Sequence, residues 1–285
     1  MSSLFDFETP SKYAVMGNPI AHSQSPLIHA EFARQTNQCM QYTAIQVDIG
    51  GFDQAVGNFQ ANGGAGVNVT VPFKQDAYRY ATRVSERVKL AAAANTLVFE
   101  SNNEVYADNT DGVGLVRDLK NNLHIDLEQK KILMLGAGGA VQGVLGPLLA
   151  EKPLSIVIVN RTIDKAYMLK QRFQHLGKLS SCGYEEIDKH EAYDIVINAT
   201  STGIDGQLPP LVDTIINSDS VCYDMFYAAQ DTAFVAWAKE RGVAHAYDGL
   251  GMLVEQAAEA FLLWRKQTPQ TAPVISLIRQ KMAEK

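Results

Sequence analysis

The sequence has no long apolar run and no leader-like start, and these absences limit where the protein is expected to act. None of its apolar runs approaches the roughly 20 residues that a membrane-spanning helix needs. The first residues, MSSLFDFETP, include acidic side chains and lack the basic-then-apolar order of a secretory signal peptide. We therefore expect a cytoplasmic protein with no membrane partner.

Cysteine is also scarce, and acidic residues outnumber basic ones by 31 to 25. The three cysteines, Cys39, Cys182 and Cys222, are odd in number and widely spaced, and no CxxC pair occurs. This pattern supports neither a disulfide framework nor a structural zinc site, so we expect a reducing compartment and no metal. The formal net charge of -6 argues against general nucleic-acid binding, which usually leaves a basic footprint. An anionic ligand must then be held by local positive groups or backbone amides.

The sequence does contain the balance of a globular protein, with 46% hydrophobic and 20% charged residues over 285 positions. Such a length suits one large domain or two ordinary ones. Short apolar runs typical of buried strands alternate with helix-like segments, which predicts an α/β fold with mostly parallel sheet. NTLVFE and EVYADN predict a hairpin, and Leu115, Leu119 and Leu123 predict one helix over 111–123.

A glycine-rich turn stands between a strand-like and a helix-like segment in KKILMLGAGGAVQG. Gly136, Gly138 and Gly139 permit a tight turn and close backbone approach, and a helix N-terminus there would meet a pyrophosphate. The strict G-x-G-x-x-G spacing fails because position 141 is valine. The pattern favours dinucleotide binding, and a purely structural turn between strand and helix is the alternative.

The next strand-like run ends in NRT, which bears on the choice of cofactor. An enzyme that uses NAD usually places an acidic residue here, where it accepts from the ribose 2′-OH. This chain has Asn160, Arg161 and Thr162 instead, with Lys165 one helical turn later. A guanidinium can hold a 2′-phosphate with paired hydrogen bonds, so the pattern favours NADP. The alternative is a polar loop whose basic residues are incidental.

Polar residues collect at the ends of elements in the first part of the chain. Ser23 and Ser25 are two apart in a loop, where two hydroxyls can donate to one carboxylate, although Ser25 is also a good N-cap for a helix starting at Pro26. Asn68 and Thr70 share one face of the strand in GVNVTVPFK, and Lys74 follows it. A solvent-exposed surface lysine is the alternative for Lys74.

Two further polar residues, Asn95 and Asp111, also have alternative structural roles that need no ligand. Asn95 opens the NT before a strand-like segment, where it could sit in a turn. Asp111 closes NTD just before a helix, where it could be an N-cap.

Eight stretches, in order from residue 17 to 261, together resemble the shikimate dehydrogenase family. They are GNPIAHSQSP, NVTVPFK, ANT, DNTDGVGL, GAGGA, NRT, NATSTG and GLGMLVEQAAEAF. They run through nearly the whole chain, and their combination is specific although each piece alone is not. Ala30, Ala92 and Lys165 depart from residues that are frequent in the family, and Lys165 keeps the positive charge of the arginine it replaces.

The resemblance implies reversible NADP-dependent reduction of 3-dehydroshikimate to shikimate, on the route to chorismate and the aromatic amino acids. It implies a catalytic pair, Lys74 and Asp111. The residues implied to bind substrate are Ser23 and Ser25 at its carboxylate, Thr70, Asn95 and Gln256 at its hydroxyls, and also Asn68 and Tyr227. Those implied to bind cofactor are Gly136, Ala137, Gly138, Gly139, Ala140, Asn160, Arg161, Thr162, Lys165, Thr200, Met225 and Gly249.

The predicted organisation is a substrate domain of 1–110 plus 249–285 and a Rossmann-like NADP-binding domain of 111–248, with the active site in the cleft between them. We expect a small-molecule substrate, no nucleic-acid partner, and a monomer or homodimer. Two alternatives remain: a quinate-acting relative that uses NAD, and a non-catalytic nucleotide-sensing relative.

Overall fold

The computed structural model describes residues 9–189, 192–200 and 207–284. The chain divides into two compact units. The first comprises the described parts of Met1–Thr110 and Ala257–Val274, and the second those of Asp111–Gln256 and Ile275–Lys285. The functional assignment of the predicted domains stays a prediction.

The sheet of the first unit has six strands in the order β2-β1-β3-β5-β6-β4. In chain order they are β1 (Ser11–Gly17), β2 (Met40–Gln46), β3 (Gly64–Val69), β4 (Arg83–Val84), β5 (Thr96–Phe99) and β6 (Val105–Asp108). Three of the pairings are parallel, whereas β5 runs antiparallel to both β3 and β6. The predicted hairpin is therefore confirmed as β5 and β6.

Helices lie between these strands. They are α1 (Ser25–Gln35), α2 (Phe52–Ala61), α3 (Lys74–Tyr80) and α4 (Glu86–Ala91). The strand valines that alternate with polar residues supply the core, because Val67 and Val69 pack with Phe52 and Phe73 in one buried apolar cluster. Polar residues between them are thereby left to the other face or to the strand ends.

The second unit has a six-stranded sheet in the order β12-β11-β10-β7-β8-β9, with every pairing parallel. Its strands are β7 (Lys131–Leu135), β8 (Ser155–Val159), β9 (Leu179–Cys182), β10 (Ile195–Asn198), β11 (Val221–Asp224) and β12 (His245–Tyr247). The central strands β7, β8 and β10 each contain a run of buried apolar residues, as expected where helices cover both faces of a parallel sheet. This is the strand order of a Rossmann-type sheet, whose ligand crevice lies at the carboxyl ends beside the first strand.

The remaining helices are α5 (Asp111–Arg117), α6 (Gly139–Ala150), α7 (Ile163–Phe173), α8 (Ala233–Glu240), α9 (Leu250–Arg265) and α10 (Ala272–Ala283). The single helix predicted over 111–123 is wrong in detail, because α5 is followed by a π-helical turn, Asp118–Asn122. Asp118 is buried there and accepts from the Tyr223 hydroxyl at 2.6 Å, so its side chain is held inward. Leu115 and Leu119 are fully buried, as the apolar face predicted.

The predicted α/β fold with mostly parallel sheets is confirmed. Three short strands, β4, β9 and β12, were not predicted from the sequence, and all three are edge strands of their sheets. In the described part of the chain, every helix is too short or too polar to cross a membrane.

Candidate active site

The loop after β1 carries the two predicted carboxylate ligands. The N-cap of α1 is Gln24, which makes no side-chain capping bond, and Ser25 is already the first helical residue. The alternative role of Ser25 as N-cap is therefore wrong. The Ser23 hydroxyl instead accepts from the Ser25 backbone N–H at 3.3 Å, and Ser25 is 7% exposed. The two hydroxyl-bearing residues are thus neighbours on one turn.

Thr70 and Lys74 follow the end of β3. The Thr70 N–H donates to the Met16 carbonyl at 2.9 Å, so the residue stays attached to β1 after the strand ends. Gly17 allows this approach, because a Cβ at position 17 would overlap the Thr70 methyl group. The chain then turns through a cis Val71–Pro72 peptide bond and enters α3 at Lys74. The Lys74 side chain is half-buried rather than fully solvated.

Lys74 is tied by its backbone to the segment that carries Asn95. The Lys74 carbonyl accepts from the Ala94 N–H at 2.8 Å. Asn95 is 3% exposed, and its amide nitrogen donates to the Thr110 hydroxyl at 2.9 Å. Asn95 does not sit in a solvent-exposed turn. It lies at the same end of the sheet as the last residues of β3, because β5 starts where the antiparallel β3 stops.

Asp108 and Arg87 support this end of the sheet and were not predicted from the sequence. The Asp108 carboxylate is 2% exposed and accepts from both the Nε and Nη2 atoms of Arg87, at 3.0 and 2.6 Å. It also accepts from the Ser85 hydroxyl and from the Asn109 N–H, each at 2.7 Å. These bonds fix the backbone just before Thr110. Asp108 stands in a run of polar residues, and this local sequence does not indicate that Asp108 is buried.

Asp111 is the first residue of α5 and is 6% exposed. It lies inside the helix, so the alternative role of Asp111 as the N-cap is wrong. Gln256 on α9 packs against the same helix, since a Cβ on Gly114 would lie 2.7 Å from the Gln256 Cβ. Gln256 also donates from Nε2 to the Leu253 carbonyl at 2.8 Å. The second unit therefore brings Asp111 and Gln256 onto adjacent helices. The pairing of Asp111 with Lys74 stays a prediction.

The glycine-rich turn follows β7 as predicted. Gly136 has φ of +108°, a left-handed conformation that favours glycine, and a Cβ there would lie 3.1 Å from the Ala199 carbonyl oxygen. Gly138 is the N-cap of α6, and Gly139 is its first residue. A Cβ at either position would meet no atom within 4 Å. The helix N-terminus therefore faces open space, which fits a bound pyrophosphate.

The predicted 2′-phosphate residues follow β8. The Asn160 side chain donates to the Thr162 carbonyl at 2.8 Å, and Thr162 precedes the first residue of α7. Arg161 and Lys165 are exposed on this turn. Both basic side chains can thus reach a bound anion.

Tyr184 lies near Arg161 of this turn and was not predicted from the sequence. Burial raises the pKa of Tyr184 to about 12, and the nearby Arg161 charge acts in the opposite sense. Tyr184 follows the edge strand β9, whose sequence LSSC has few apolar residues. The strand was therefore not predicted, and the position of Tyr184 could not be predicted either.

Three other predicted cofactor residues meet at the carboxyl ends of β10 and β11. The Thr200 hydroxyl donates to the Asn198 Oδ1 atom at 2.7 Å, and the Met225 N–H donates to the Asn198 carbonyl at 2.8 Å. Gly249 comes so close to Met225 that a Cβ would lie 2.5 Å from the Met225 carbonyl oxygen. Thr200, Met225 and Gly249 are therefore held in one place.

Asn198 is itself held from below by Asp224. The Asn198 Nδ2 atom donates to the buried Asp224 carboxylate at 3.1 Å, and the Thr232 hydroxyl donates to it at 2.7 Å. Tyr227, three residues after Asp224, is half-buried. The later part of NATSTG, 201–203, lies outside the described residues.

Three family models match the chain. They are described as "Shikimate dehydrogenase substrate binding domain" at residues 15–97, "Shikimate / quinate 5-dehydrogenase" at 118–204 and "Shikimate 5'-dehydrogenase C-terminal domain" at 249–279.

Individual proteins resemble the chain over nearly its whole length. The "Shikimate dehydrogenase (NADP(+))" of Cellvibrio japonicus (strain Ueda107) is 50% identical over 273 residues, which are 96% of this chain and 98% of that protein. An Ael1 enzyme from Pseudomonas putida has a crystal structure similar to this one, with a TM-score of 0.88, 44% identity, and coverage of 94% of this chain and 97% of that one. Shikimate dehydrogenase from Aquifex aeolicus gives a TM-score of 0.85 at 32% identity, covering 97% and 100% of the two chains.

Proposed function

The chain belongs to the shikimate dehydrogenase family, and from this premise we propose that it is an NADP-dependent oxidoreductase that interconverts shikimate and 3-dehydroshikimate. The observation that carries this function is 50% identity to a shikimate dehydrogenase (NADP(+)) over 96% of the chain. The alternatives, an NAD-dependent quinate enzyme and a nucleotide-sensing relative, are not favoured by relatives of that name. The reaction belongs to the shikimate pathway.

We propose that the first unit binds the substrate. A family model for a substrate-binding domain matches it at 15–97. Ser23 and Ser25 would donate to the substrate carboxylate, with Thr70 and Asn95 at its hydroxyls. Two observations support this: Thr70 and Asn95 lie at the same end of the sheet, and the two serines share one turn. Gln256 and Tyr227 of the second unit are proposed as further substrate ligands.

The residues of the second unit fit NADP. The open space at Gly138 and Gly139 suits the pyrophosphate, and exposed Arg161 and Lys165 suit a 2′-phosphate. When bound, the nicotinamide supplies or accepts the hydride. Thr200, Met225 and Gly249 are proposed to line its position.

In the reduction direction, we propose that Lys74 acts on the oxygen of the substrate ketone. Negative charge develops on that oxygen as the carbonyl becomes an alcohol, and a positioned ammonium group stabilises it and supplies the proton. The Lys74 backbone is fixed by its bond to Ala94, which supports a defined position for the ammonium group. Asp111 would orient the ammonium group, and the two would exchange protons as one coupled unit.

Steady-state kinetics on the purified protein test the function. Oxidation of shikimate and of quinate is measured with NADP and with NAD, giving four values of kcat/KM. We expect the highest value for shikimate with NADP. A clear preference for quinate with NAD, or no turnover with any pair, would contradict the proposal. The cytoplasmic location and the monomeric or homodimeric state stay predictions, which fractionation and light scattering would test.

A further inference from the structure

A line of buried polar side chains crosses the first unit behind the proposed substrate ligands. The Tyr42 hydroxyl on β2 donates to the Asn68 Oδ1 atom at 2.7 Å. The Asn68 Nδ2 atom donates to the Thr96 hydroxyl at 3.1 Å, and that hydroxyl donates to the Asn95 Oδ1 atom at 2.9 Å. Every bond is donated in the same direction, from Tyr42 towards Asn95. We call these four residues the relay.

The direction of the relay is fixed by groups that cannot reverse. The Asn68 Nδ2 atom also donates to the Asn95 backbone carbonyl at 3.3 Å, and a carbonyl is an acceptor only. A flipped Asn68 amide would set two oxygens against each other. At the far end the Thr110 backbone N–H, which is a donor only, donates to the Asn95 Oδ1 atom at 2.9 Å. The Asn95 oxygen must therefore point at Thr96 and Thr110.

This arrangement determines what Asn95 presents to a ligand. A carboxamide oxygen has two lone pairs, and the hydroxyl of Thr96 and the N–H of Thr110 both donate to it. The Nδ2 atom donates to the Thr110 hydroxyl at 2.9 Å, and a substrate hydroxyl oxygen on this side of the amide would meet the same donor nitrogen. Asn68 uses both of its N–H hydrogens within the relay and towards the Asn95 carbonyl.

Tyr42 is placed to start the relay under working conditions. Its ring stacks on His29 at a centroid distance of 4.2 Å and an interplanar angle of 9°. Burial raises the pKa of Tyr42 well above its usual range, while a hydrogen bond with Ser25 acts in the opposite sense. The phenol therefore keeps its proton. The same hydroxyl neighbours Ser25, so the relay joins the proposed carboxylate site to the proposed hydroxyl site.

We propose that Tyr42 and Thr96 are positioning residues that hold the Asn95 amide with its nitrogen towards a hydroxyl oxygen of the substrate. The inference rests on the proposed function, because it takes Asn95 as a ligand of shikimate. Without the relay, the Asn95 oxygen loses the Thr96 donor and keeps the Thr110 N–H, so the amide is held less firmly with its nitrogen towards the substrate. Binding of the hydroxyl weakens, whereas cofactor binding is unaffected.

The test uses substitutions that keep shape. Tyr42→Phe keeps the ring and its stack on His29 but removes the first donor, and Thr96→Val removes the hydroxyl while keeping the branch. We expect each to raise KM for shikimate roughly five- to ten-fold, the effect of one buried hydrogen bond, with KM for NADP unchanged. Thr96→Ser restores the hydroxyl and should restore KM. The double variant should be no worse than the poorer single variant, since both interrupt one relay.

Tyr13→Phe is the matched control. Tyr13 lies directly beside Tyr42 in the register of β1 and β2 and also stacks on an aromatic ring, that of Trp264 at 4.6 Å. It has no part in the relay, so KM should not change. In an Asn95→Ala background, Tyr42→Phe should have no further effect on KM, because the residue that it positions is gone.

The outcomes separate the two proposals. If the wild-type protein oxidises shikimate but Tyr42→Phe and Thr96→Val keep its KM, the relay inference is wrong and the function stands. A Tyr42→Phe penalty that persists in full with Asn95→Ala also overturns the inference. If the wild-type protein does not turn over shikimate, the proposed function itself fails. Should Thr96→Val not fold, Tyr42→Phe with its control decides alone.

Discussion

Replacing Arg161 by alanine should weaken the preference of the enzyme for NADP over NAD and should affect the transfer of hydride and proton less. Arg161 is exposed on the turn after β8, where a 2′-phosphate is proposed to bind. A charge-assisted hydrogen bond contributes about 1.5–3 kcal/mol, and solvent exposure places this one near the lower end. A loss of about 2 kcal/mol corresponds to a roughly 30-fold fall in kcat/KM for NADP. NAD lacks the phosphate and should lose nothing.

Lys165 should add a smaller effect. It lies one helical turn after Arg161 and is exposed as well, so a flexible ammonium group there should give roughly a two- to five-fold change. The two substitutions should combine less than additively if both side chains bind one phosphate group. Raising the salt concentration should shrink the difference between wild type and variants, since exposed charges are screened within about 10 Å at 0.1 M.

The assay is kcat/KM for NADP and for NAD at saturating shikimate, for wild type, Arg161→Ala and a control. Lys178→Ala is a suitable control because Lys178 is also exposed but precedes β9, so it lies at the amino ends of the parallel strands, whereas Arg161 follows the carboxyl end of β8. It should leave both values unchanged. Equal losses for NADP and NAD in Arg161→Ala would refute the assignment of the 2′-phosphate site.

Three further substitutions probe the support of the site. Gly249→Ala should lower the free energy of unfolding by about 1–3 kcal/mol and weaken NADP binding, because the alanine Cβ would lie 2.5 Å from the Met225 carbonyl oxygen. A thermal melt measures the loss of stability, and an NADP titration measures the loss of affinity. Asp108→Asn should cost about 2–4 kcal/mol of unfolding free energy by denaturant titration, since it breaks a buried pair, whereas Glu100→Gln in an exposed pair should cost under about 1 kcal/mol. Burial lowers the pKa of His29 to about 3, so the unfolded chain binds a proton that the folded protein does not between that value and about 6.5. Stability should therefore fall by about 2 kcal/mol from this residue between pH 7 and pH 5, and His29→Phe should remove that part of the pH dependence; an unchanged slope would contradict the buried neutral ring.

Features set by local pattern could be predicted from the sequence. Alternating valines gave β3, the GAGG turn gave the start of α6, and the hairpin followed from two β-type runs around SNN. The position of Asn95 beside the end of β3 needs the antiparallel pairing of β5, which no local pattern specifies. Sequence thus indicated which residues are polar at element ends, and the strand pairing brought them to one end of the sheet.

The supporting groups could not be predicted, because their roles come from burial and long-range partners. Tyr42 and Asn68 are 26 positions apart, and Arg87 meets Glu259 across 172 positions. A tyrosine in an edge strand or an arginine in a short helix is unremarkable by itself. Ser25 shows the reverse case: its capping pattern was plausible, yet the helix begins one residue earlier than a cap requires.

The kinetics of Lys74→Ala test the central assignment most directly. Lys89→Ala is the control, since Lys89 is also a helical lysine of the first unit but forms an exposed pair with Glu86 at 2.6 Å. Shikimate binding is measured by calorimetry and turnover with NADP at saturation. We expect kcat of Lys74→Ala to fall by at least roughly 100-fold with shikimate affinity mostly kept, because the stabilised charge arises in the transition state. Unchanged turnover in Lys74→Ala, or an equal loss in Lys89→Ala, would contradict the assignment.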